Sequence, residues 1–348
     1  MDESKLTLEN IIAVPKAALH THLDGAIRSE TLLELSREQG KNQEYQTTED
    51  IISDICFQEN WSLPRCLSSF AKILSVLQDG NSLERVTYEH LEDLYKDGVV
   101  YAEVRFGPFL HGQLRPEEAV ERVGEAIKRA RTDFPKLQAW QKLSILRNNG
   151  VKEAEEVAKL ALAMFGKSHN IVAVDLAGNE FSHPPELFVK VYKKLRDSGI
   201  GLEAHAGEGP TLPVLYENKL VDVKKHILDS INLLGVSTLG HAYAMRNNPK
   251  IQEYVFSKGV KVIGCPTSSI HTKSIDSMKD SPLVDFFNTA KKYSSKPLVA
   301  VDADNYFLSR TTTSTEIFKL AVAHNLNFEQ AKELALGSLQ CGFREYLI

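Results

Sequence analysis

Short apolar runs recur along the chain and alternate with segments of helical periodicity. Most of these runs are continuously apolar rather than alternating, which is typical of parallel strands buried on both faces. We therefore predict strands at residues 17–22, 99–106, 143–146, 171–176, 201–205, 237–241, 260–265 and 298–301.

Helical patterns occupy the segments between these runs. The clearest covers residues 116–131, where a proline stands at the start and apolar residues form one stripe. Thr31 and Glu34 have the spacing of a capping box, which predicts a helix that begins at Thr31. Further helices are predicted at residues 152–165 and 187–197.

Strands and helices in this alternation predict an α/β protein, a (β/α)8 TIM-type barrel, with a doubly wound sheet as the alternative. Residues able to carry chemistry follow four of the apolar runs, in both halves of the chain. In a barrel the C-terminal ends of all strands meet at one mouth, whereas the outer strands of an open sheet lie far apart. We therefore favour the barrel, as a single domain over residues 1–348.

The segment at residues 40–97 is too long for an ordinary connection between a strand and the next helix. Apolar residues from Leu63 to Leu77 follow helical spacing. Two interpretations stay open for this insertion after the first strand. It is either a helix packed on the side of the barrel or a lid over the mouth.

Composition changes this picture little. The 348 residues carry a net charge of −5, which argues against nucleic acid or an anionic membrane surface as the main partner. No apolar stretch approaches the length of a transmembrane helix, and the acidic N-terminus lacks a signal-peptide core. None of the four cysteines forms a C-x-x-C pair. We expect reduced thiols in a cytoplasmic protein.

Candidate metal ligands stand at the ends of the apolar runs. His20 and His22 lie two positions apart, so in a strand their imidazoles point to the same face. His205 and Asp304 follow later runs and would complete three imidazoles and one carboxylate, a donor set suited to zinc. Asp302 is a rival ligand on spacing alone.

A catalytic zinc lowers the pKa of its bound water and produces a hydroxide nucleophile. His241 follows Gly240 at a strand end and is the candidate to hold that water and accept its proton. Glu208 stands three residues after His205, across an Ala-Gly turn, and is the candidate proton donor to the substrate. That role requires a carboxyl whose pKa is raised in a poorly solvated pocket.

Six motifs in the chain occur in the order found in a known enzyme family. They are PKAALHTHLDG at residues 15–25, VYAEVRF at 100–106, DLAGNE at 175–180, HAGE at 205–208, GH at 240–241 and CPTSS at 265–269. Over nearly its whole length the chain resembles the adenosine deaminase family.

The resemblance implies a (β/α)8 barrel, one zinc ion per chain, and hydrolytic loss of ammonia from C6 of adenosine or 2′-deoxyadenosine. Glu208 would protonate purine N1 so that a tetrahedral intermediate can form at C6. His241 would orient the zinc-bound water. The implied zinc ligands are His20, His22, His205 and Asp304.

The same resemblance implies a set of substrate contacts. The backbone N–H of Gly178 would meet purine N3, Asp24 would meet a ribose hydroxyl, and Asn305 would donate to N7. The apolar residues of the lid would cover the base. The remaining implied contacts are His22, Leu63, Leu67 and Phe70.

The chain departs from the family pattern at several positions. Asp304 is followed by Asn305 where the family usually has a second aspartate, a variant similar to that of some bacterial members. Thr267 stands where an aromatic residue is common, and Cys66 replaces a larger apolar residue of the lid. We expect these changes to affect substrate breadth more than chemistry.

Three alternatives stay open. The first is a deaminase of adenine, of an N6-substituted AMP or of another aminopurine, although Asp24 favours a neutral ribose because its carboxylate would repel a phosphate. The second is a two-metal hydrolase, which commonly needs a carboxylated lysine at the end of the fourth strand, where this chain has Gly178. The third is a non-enzymatic binding protein. We expect a purine nucleoside as partner and no nucleic acid, membrane or obligatory protein partner.

Overall fold

The predicted strands form a parallel barrel in the computed structural model, which describes residues 4–58, 63–167 and 169–346. Each strand pairs in parallel with its neighbour in chain order, and the prediction of a (β/α)8 TIM-type barrel is confirmed. The barrel strands are β1 (Lys16–His22), β2 (Val99–Phe106), β3 (Gln138–Leu146), β4 (Ile171–Ala177), β5 (Gly201–Ala206), β8 (Thr238–His241), β9 (Lys261–Gly264) and β10 (Val299–Val301). A separate antiparallel hairpin consists of β6 (Val214–Tyr216) and β7 (Lys219–Val221).

Burial explains the continuous apolar runs. Every residue of β2 and of β4 is buried, because one face of each strand lines the barrel interior and the other packs against helices. The α-helices of the described residues are α1 (Leu8–Ala13), α2 (Ser29–Gln39), α3 (Thr48–Ile55), α4 (Leu63–Val76), α5 (Gly80–Lys96), α6 (Pro116–Asp133), α7 (Gly150–Met164), α8 (Val189–Arg196), α9 (Val223–Asp229), α10 (Pro249–Ser257), α11 (Pro266–His271), α12 (Leu283–Ala290), α13 (Thr313–Ala323) and α14 (Phe328–Ser338).

The predicted capping box at Thr31 is wrong. Helix α2 begins at Ser29, so Thr31 lies inside its first turn, and the Thr31 hydroxyl donates a hydrogen bond to Glu89 of α5. A tertiary contact therefore uses the hydroxyl that the sequence pattern assigned to a cap. Thr47 provides a capping box at the start of α3, where Asp50 returns the second bond.

The insertion at residues 40–97 contains α3, α4 and α5. Residues of α2, α3 and α4 form a hydrophobic cluster that is distinct from the barrel core and includes Ile51, Ile55 and Ile73. Helix α5 instead packs against α6 and β2, as an outer helix of the barrel does. The chain between β1 and β2 thus combines a small packed subdomain with one regular barrel helix.

The barrel closes between its first and last strands. β1 and β10 approach through a parallel bridge between Thr21 and Asp304, where the His22 N–H donates to the Asp304 carbonyl at 2.9 Å. Asp302 extends this seam with its side chain, because one carboxylate oxygen accepts the backbone N–H groups of Leu19 and His20, both at 2.6 Å. A side chain here performs the pairing that backbone carbonyls perform elsewhere in the sheet.

Two features bear on the environment of the protein. The described residues include no helix that is both long enough and apolar enough to span a bilayer. Cys56, Cys265 and Cys341 are buried free thiols, as the sequence predicts. The side chain of Cys66 lies outside the described residues.

Candidate active site

The histidines and the aspartate predicted from the sequence meet at the C-terminal mouth of the barrel. His20 and His22 lie in the last three residues of β1, His205 lies in β5, and Asp304 follows β10. The Nε2 atoms of His20 and His205 are 3.0 Å apart, and those of His22 and His205 are 3.2 Å apart. The Nε2 atom of His22 lies 3.4 Å from Oδ1 of Asp304.

These separations suit ligands of one ion. Two atoms bound about 2.1 Å from a tetrahedral zinc lie roughly 3.4 Å from each other. Burial, followed by the positive charge of Arg105, lowers the pKa of His20 and of His22 well below the ordinary value. Neutral imidazoles with converging nitrogens are the form that binds a metal.

Two buried carboxylates orient the imidazoles from behind. Glu203 lies 3.2 Å from Nδ1 of His20, and Asp175 lies 3.0 Å from Nδ1 of His205. Each carboxylate can accept the Nδ1–H, which leaves the Nε2 lone pair directed at the centre of the cluster. Carboxylates in this position are a regular second layer around metal-bound histidines.

A buried ion network below the cluster holds these carboxylates ionised. Arg105 donates to Asp175 at 2.9 Å and to Glu203 at 2.7 Å, and Lys142 donates to Glu203 at 2.6 Å. Burial alone would raise the pKa of Glu203, but the charges of Arg105 and Lys142 outweigh it and set that pKa at about 2. No role for this network follows from the sequence alone, although Glu103 and Arg105 alternate along β2 as residues facing a barrel interior do.

Asp304 and Asp302 take different positions. Asp304 has a left-handed backbone, with φ of 64°, and its Oδ2 accepts a hydrogen bond from Ser268 at 2.5 Å, so that Oδ1 faces His22. Asp302 binds the backbone of β1 and the hydroxyl of Thr313. The carboxylate that faces the histidines is therefore that of Asp304.

His241 lies beside this cluster without a hydrogen-bond partner for either ring nitrogen among the described residues. Its ring centroid is 4.8 Å from that of His20 and 5.2 Å from that of His205. His241 and Ala242 both have left-handed backbone, an unusual conformation that clusters at functional sites. The nearest carboxylate oxygen belongs to Glu208, 3.6 Å from Nε2 of His241.

Glu208 has the properties of a proton donor. Its pKa is raised well above the ordinary value, first by burial and then by the negative charges of Asp304 and Glu180. The side chain nevertheless keeps 24% of its surface exposed towards the mouth. A raised pKa favours the protonated form of a carboxyl, which can deliver a proton to a bound molecule.

Two polar side chains on the β1 side of the mouth have buried oxygens without a partner in the described structure. They are Oδ1 of Asp24 and Oδ1 of Asn305. Burial raises the pKa of Asp24 to about 7. Gly25 makes room for Asn305, since a Cβ at Gly25 would lie 2.1 Å from the Asn305 oxygen.

The loop after β4 carries Gly178 next to the mouth. Gly178 has φ of 99°, and a Cβ there would lie 2.4 Å from Oδ1 of Asn148. That oxygen also accepts the N–H of Asn179 at 2.9 Å. Both the backbone conformation and the space therefore require glycine at this position.

The predicted lid residues are only partly described. The backbone of α4 includes Leu63 and Leu67, but their side chains lie outside the described residues. Phe70 is partly buried, packs against the cluster formed by α2, α3 and α4, and lies 6.0 Å from the ring of Phe57. Helix α4 contacts the turn Leu23–Gly25, which carries Asp24.

A parallel barrel with histidines and an aspartate gathered at its C-terminal mouth is the arrangement of a metal-dependent hydrolase. The sequence model of the family described as "Adenosine deaminase" matches residues 15–345. The chain belongs to the adenosine deaminase family, and it is a hydrolase that deaminates adenosine-like substrates.

Individual proteins support this assignment. The chain is 31% identical to an adenosine deaminase of Clostridium botulinum over 96% of each chain. It resembles the structure of an N6-mAMP deaminase of Arabidopsis with 27% identity and a TM-score of 0.79, over 97% of this chain and 96% of that one. An adenine deaminase of Arthrobacter aurescens has the same fold, with 23% identity and a TM-score of 0.82 over 96% and 95% of the two chains.

Proposed function

We propose that this protein removes the 6-amino group of adenosine and 2′-deoxyadenosine by hydrolysis, with one zinc ion per chain, and produces inosine or 2′-deoxyinosine and ammonia. The proposal rests on one observation: His20, His22, His205 and Asp304 meet next to the carboxyl of Glu208, whose pKa is raised by burial and by neighbouring negative charges. Metal ligation and proton donation are the two requirements of hydrolysis at C6 of a purine.

The residues that would hold the ion are His20, His22, His205 and Asp304. Their nitrogen and oxygen donors match zinc in type, and Glu203 and Asp175 support two of the imidazoles from behind. A zinc ion bound there supplies a water whose pKa is lowered towards neutrality, so that a nucleophile exists at physiological pH.

His241 and Glu208 would act on the reacting atoms. Among the described residues neither ring nitrogen of His241 has a hydrogen-bond partner, so His241 would orient the attacking water and accept its proton. Glu208 donates its own proton to N1 of the purine, which makes C6 electrophilic as the water attacks. Their separation of 3.6 Å lets the two groups act on neighbouring atoms of one small molecule.

The nucleoside would be held on both sides of the metal ligands. The N–H of Gly178 meets N3, the Asn305 amide donates to N7, and Asp24 meets a ribose hydroxyl. The unpartnered oxygen of Asp24 supports this last contact, because a buried acceptor without a donor is costly and a ribose hydroxyl supplies one. His22, Leu63, Leu67 and Phe70 would complete the enclosure of the base.

The likeness to an N6-mAMP deaminase raises the alternative of a nucleotide substrate. A phosphate group is recognised by arginine, lysine or the N-terminus of a helix. Asp24 on the ribose side presents a carboxyl with a pKa of about 7, which is partly ionised at neutral pH and repels a phosphate. This feature favours the nucleoside.

We also propose that the enzyme is cytoplasmic and acts in purine metabolism. The free thiols of Cys56, Cys265 and Cys341 support a reducing compartment. The proposed partners are small purine nucleosides, with no nucleic acid, membrane or obligatory protein partner.

Turnover of four substrates by the purified protein tests the proposal. The loss of ultraviolet absorbance on deamination is followed for adenosine, 2′-deoxyadenosine, adenine and N6-methyl-AMP. We expect kcat/KM for the two nucleosides to exceed that for the other substrates by at least about tenfold. A preference for adenine or N6-methyl-AMP would overturn the substrate assignment, and no turnover of any of the four would overturn the activity.

A further inference from the structure

The turn that carries Glu208 is tightly constrained. Gly207 has φ of 72°, and a Cβ there would lie 2.6 Å from Cδ1 of Ile227. The carbonyls of Ala206 and Gly207 accept the N–H groups of Ala242 and Ala244, both at 3.0 Å. These bonds join the turn to the residues immediately after His241.

The N–H groups of the same turn point the opposite way, and both donate hydrogen bonds to one carboxylate. Oε1 of Glu180 accepts the N–H of Glu208 at 2.7 Å, and Oε2 accepts the N–H of Gly207 at 3.1 Å. Glu180 is 4% exposed, and Oε2 also lies 3.1 Å from Nδ1 of His226 on α9. One side chain therefore connects the loop after β4, the turn after β5 and helix α9.

This arrangement requires a carboxylate. Its two oxygens both act only as acceptors when ionised, so they can satisfy two neighbouring N–H groups at once. Hydrogen bonds to a charged acceptor are roughly twice as strong as neutral ones. An amide in place of Glu180 would direct its NH2 group at one of the two N–H donors, and one buried donor would lose its partner.

We propose that Glu180 is a positioning residue that fixes the turn Gly207–Glu208 and thereby sets where the Glu208 carboxyl lies relative to His241. The catalytic consequence rests on the proposed function, in which Glu208 is the proton donor. A proton donor displaced by about 1 Å can cost on the order of 100-fold in rate, because transfer depends on distance and alignment.

Glu180→Gln in the full chain tests the inference with two independent measurements. Hydrogen–deuterium exchange reports on the backbone N–H groups directly, and we expect exchange in peptides covering Gly207 and Glu208 to become at least about tenfold faster. Kinetics with adenosine should show kcat reduced by about 10- to 100-fold, with KM within about threefold of the wild-type value. Zinc content should not change, since Glu180 lies outside the ligand set.

Glu186→Gln is the matched control. Glu186 stands in the same loop and pairs with Lys225, but 39% of its side chain is exposed and it touches neither N–H group. We expect wild-type exchange and wild-type kcat for this variant. If Glu180→Gln does not fold, Glu180→Asp keeps the charge and withdraws it by one methylene, and the same two measurements apply.

Unchanged exchange at Gly207 and Glu208 in the Glu180 variant would overturn the proposal that Glu180 fixes this turn. Faster exchange with an unchanged kcat would overturn its catalytic role. If the wild-type protein does not deaminate nucleosides, the proposed function fails, while the exchange measurement still decides whether Glu180 holds the turn.

Discussion

At the scale of single residues, the surroundings shift the pKa values of two glutamates of the site in opposite directions. Burial and the charge of Asp304 raise the pKa of Glu208 and favour its protonated form, while Arg105 and Lys142 hold the pKa of Glu203 at about 2 and favour its ionised form. Two glutamates on one strand and its following turn thus have opposite roles. The environment, rather than the residue type, decides which is donor and which is acceptor.

Glu208→Gln should abolish most of the turnover. The amide has nearly the shape of the carboxyl but cannot deliver a proton to N1, so we expect kcat to fall by about 100- to 10,000-fold while zinc content and binding of inosine stay near wild type. Glu217→Gln removes an exposed carboxylate from the hairpin nearby and should leave kcat unchanged. Full activity in the Glu208 variant would contradict the assigned role.

The pH dependence of the reaction should reflect the pKa of Glu208. Because the proton donor works only in its protonated form and its pKa is raised, kcat/KM for adenosine should decline as the pH rises through that pKa, at a higher pH than the ordinary pKa of a glutamate would give. The measurement is a pH profile of kcat/KM taken over the range in which the protein stays folded. A rate that is constant or still rising at the alkaline end would contradict the raised pKa.

At the scale of elements, the seam between β1 and β10 brings the two halves of the ligand set together. One oxygen of Asp302 accepts the N–H groups of Leu19 and His20, and the other accepts the N–H of Ala303 and the hydroxyl of Thr313. The same side chain that closes the barrel therefore also fixes the backbone of a metal ligand.

Asp302→Asn should destabilise the whole barrel. An asparagine side chain has one acceptor oxygen and one NH2 group. The NH2 group would face two of the four donors that Asp302 accepts, so two buried groups lose their acceptor. We expect a loss of about 2–4 kcal/mol in the free energy of unfolding. Denaturant-induced unfolding of the metal-free protein measures it. Asp197→Asn, at an exposed carboxylate, should change stability by less than about 0.5 kcal/mol. Equal stability of the two variants would contradict the role of Asp302 at the seam.

At the scale of the whole molecule, the sequence was informative where local pattern and tertiary position coincide. Parallel strands buried on both faces are continuously apolar, so their positions and the residues after them could be predicted, and His20, His205 and Asp304 do meet at the mouth. Contacts between distant segments carry no local pattern. Asp302 lies more than 280 residues from the β1 groups it binds, and spacing alone made it a rival ligand.

The same limit explains the other differences. Thr31 has the spacing of a helix cap, but its hydroxyl donates a hydrogen bond to Glu89 of α5. Arg105 and Lys142 look like ordinary charges in the sequence until the closed barrel brings both to the carboxylate of Glu203. A motif can locate a residue such as Glu180, but its partners become visible only when the loops after β4 and β5 lie side by side.

One zinc ion per chain would be held by His20, His22, His205 and Asp304, with His241 acting beside it. Zinc content measured by mass spectrometry on the purified wild-type protein and on two histidine variants tests this most directly. We expect about one zinc per chain in the wild type and in His241→Ala, and a loss of most of the zinc in His205→Ala. Wild-type protein without stoichiometric zinc, or a His241 variant that loses zinc as fully as the His205 variant does, would contradict the account.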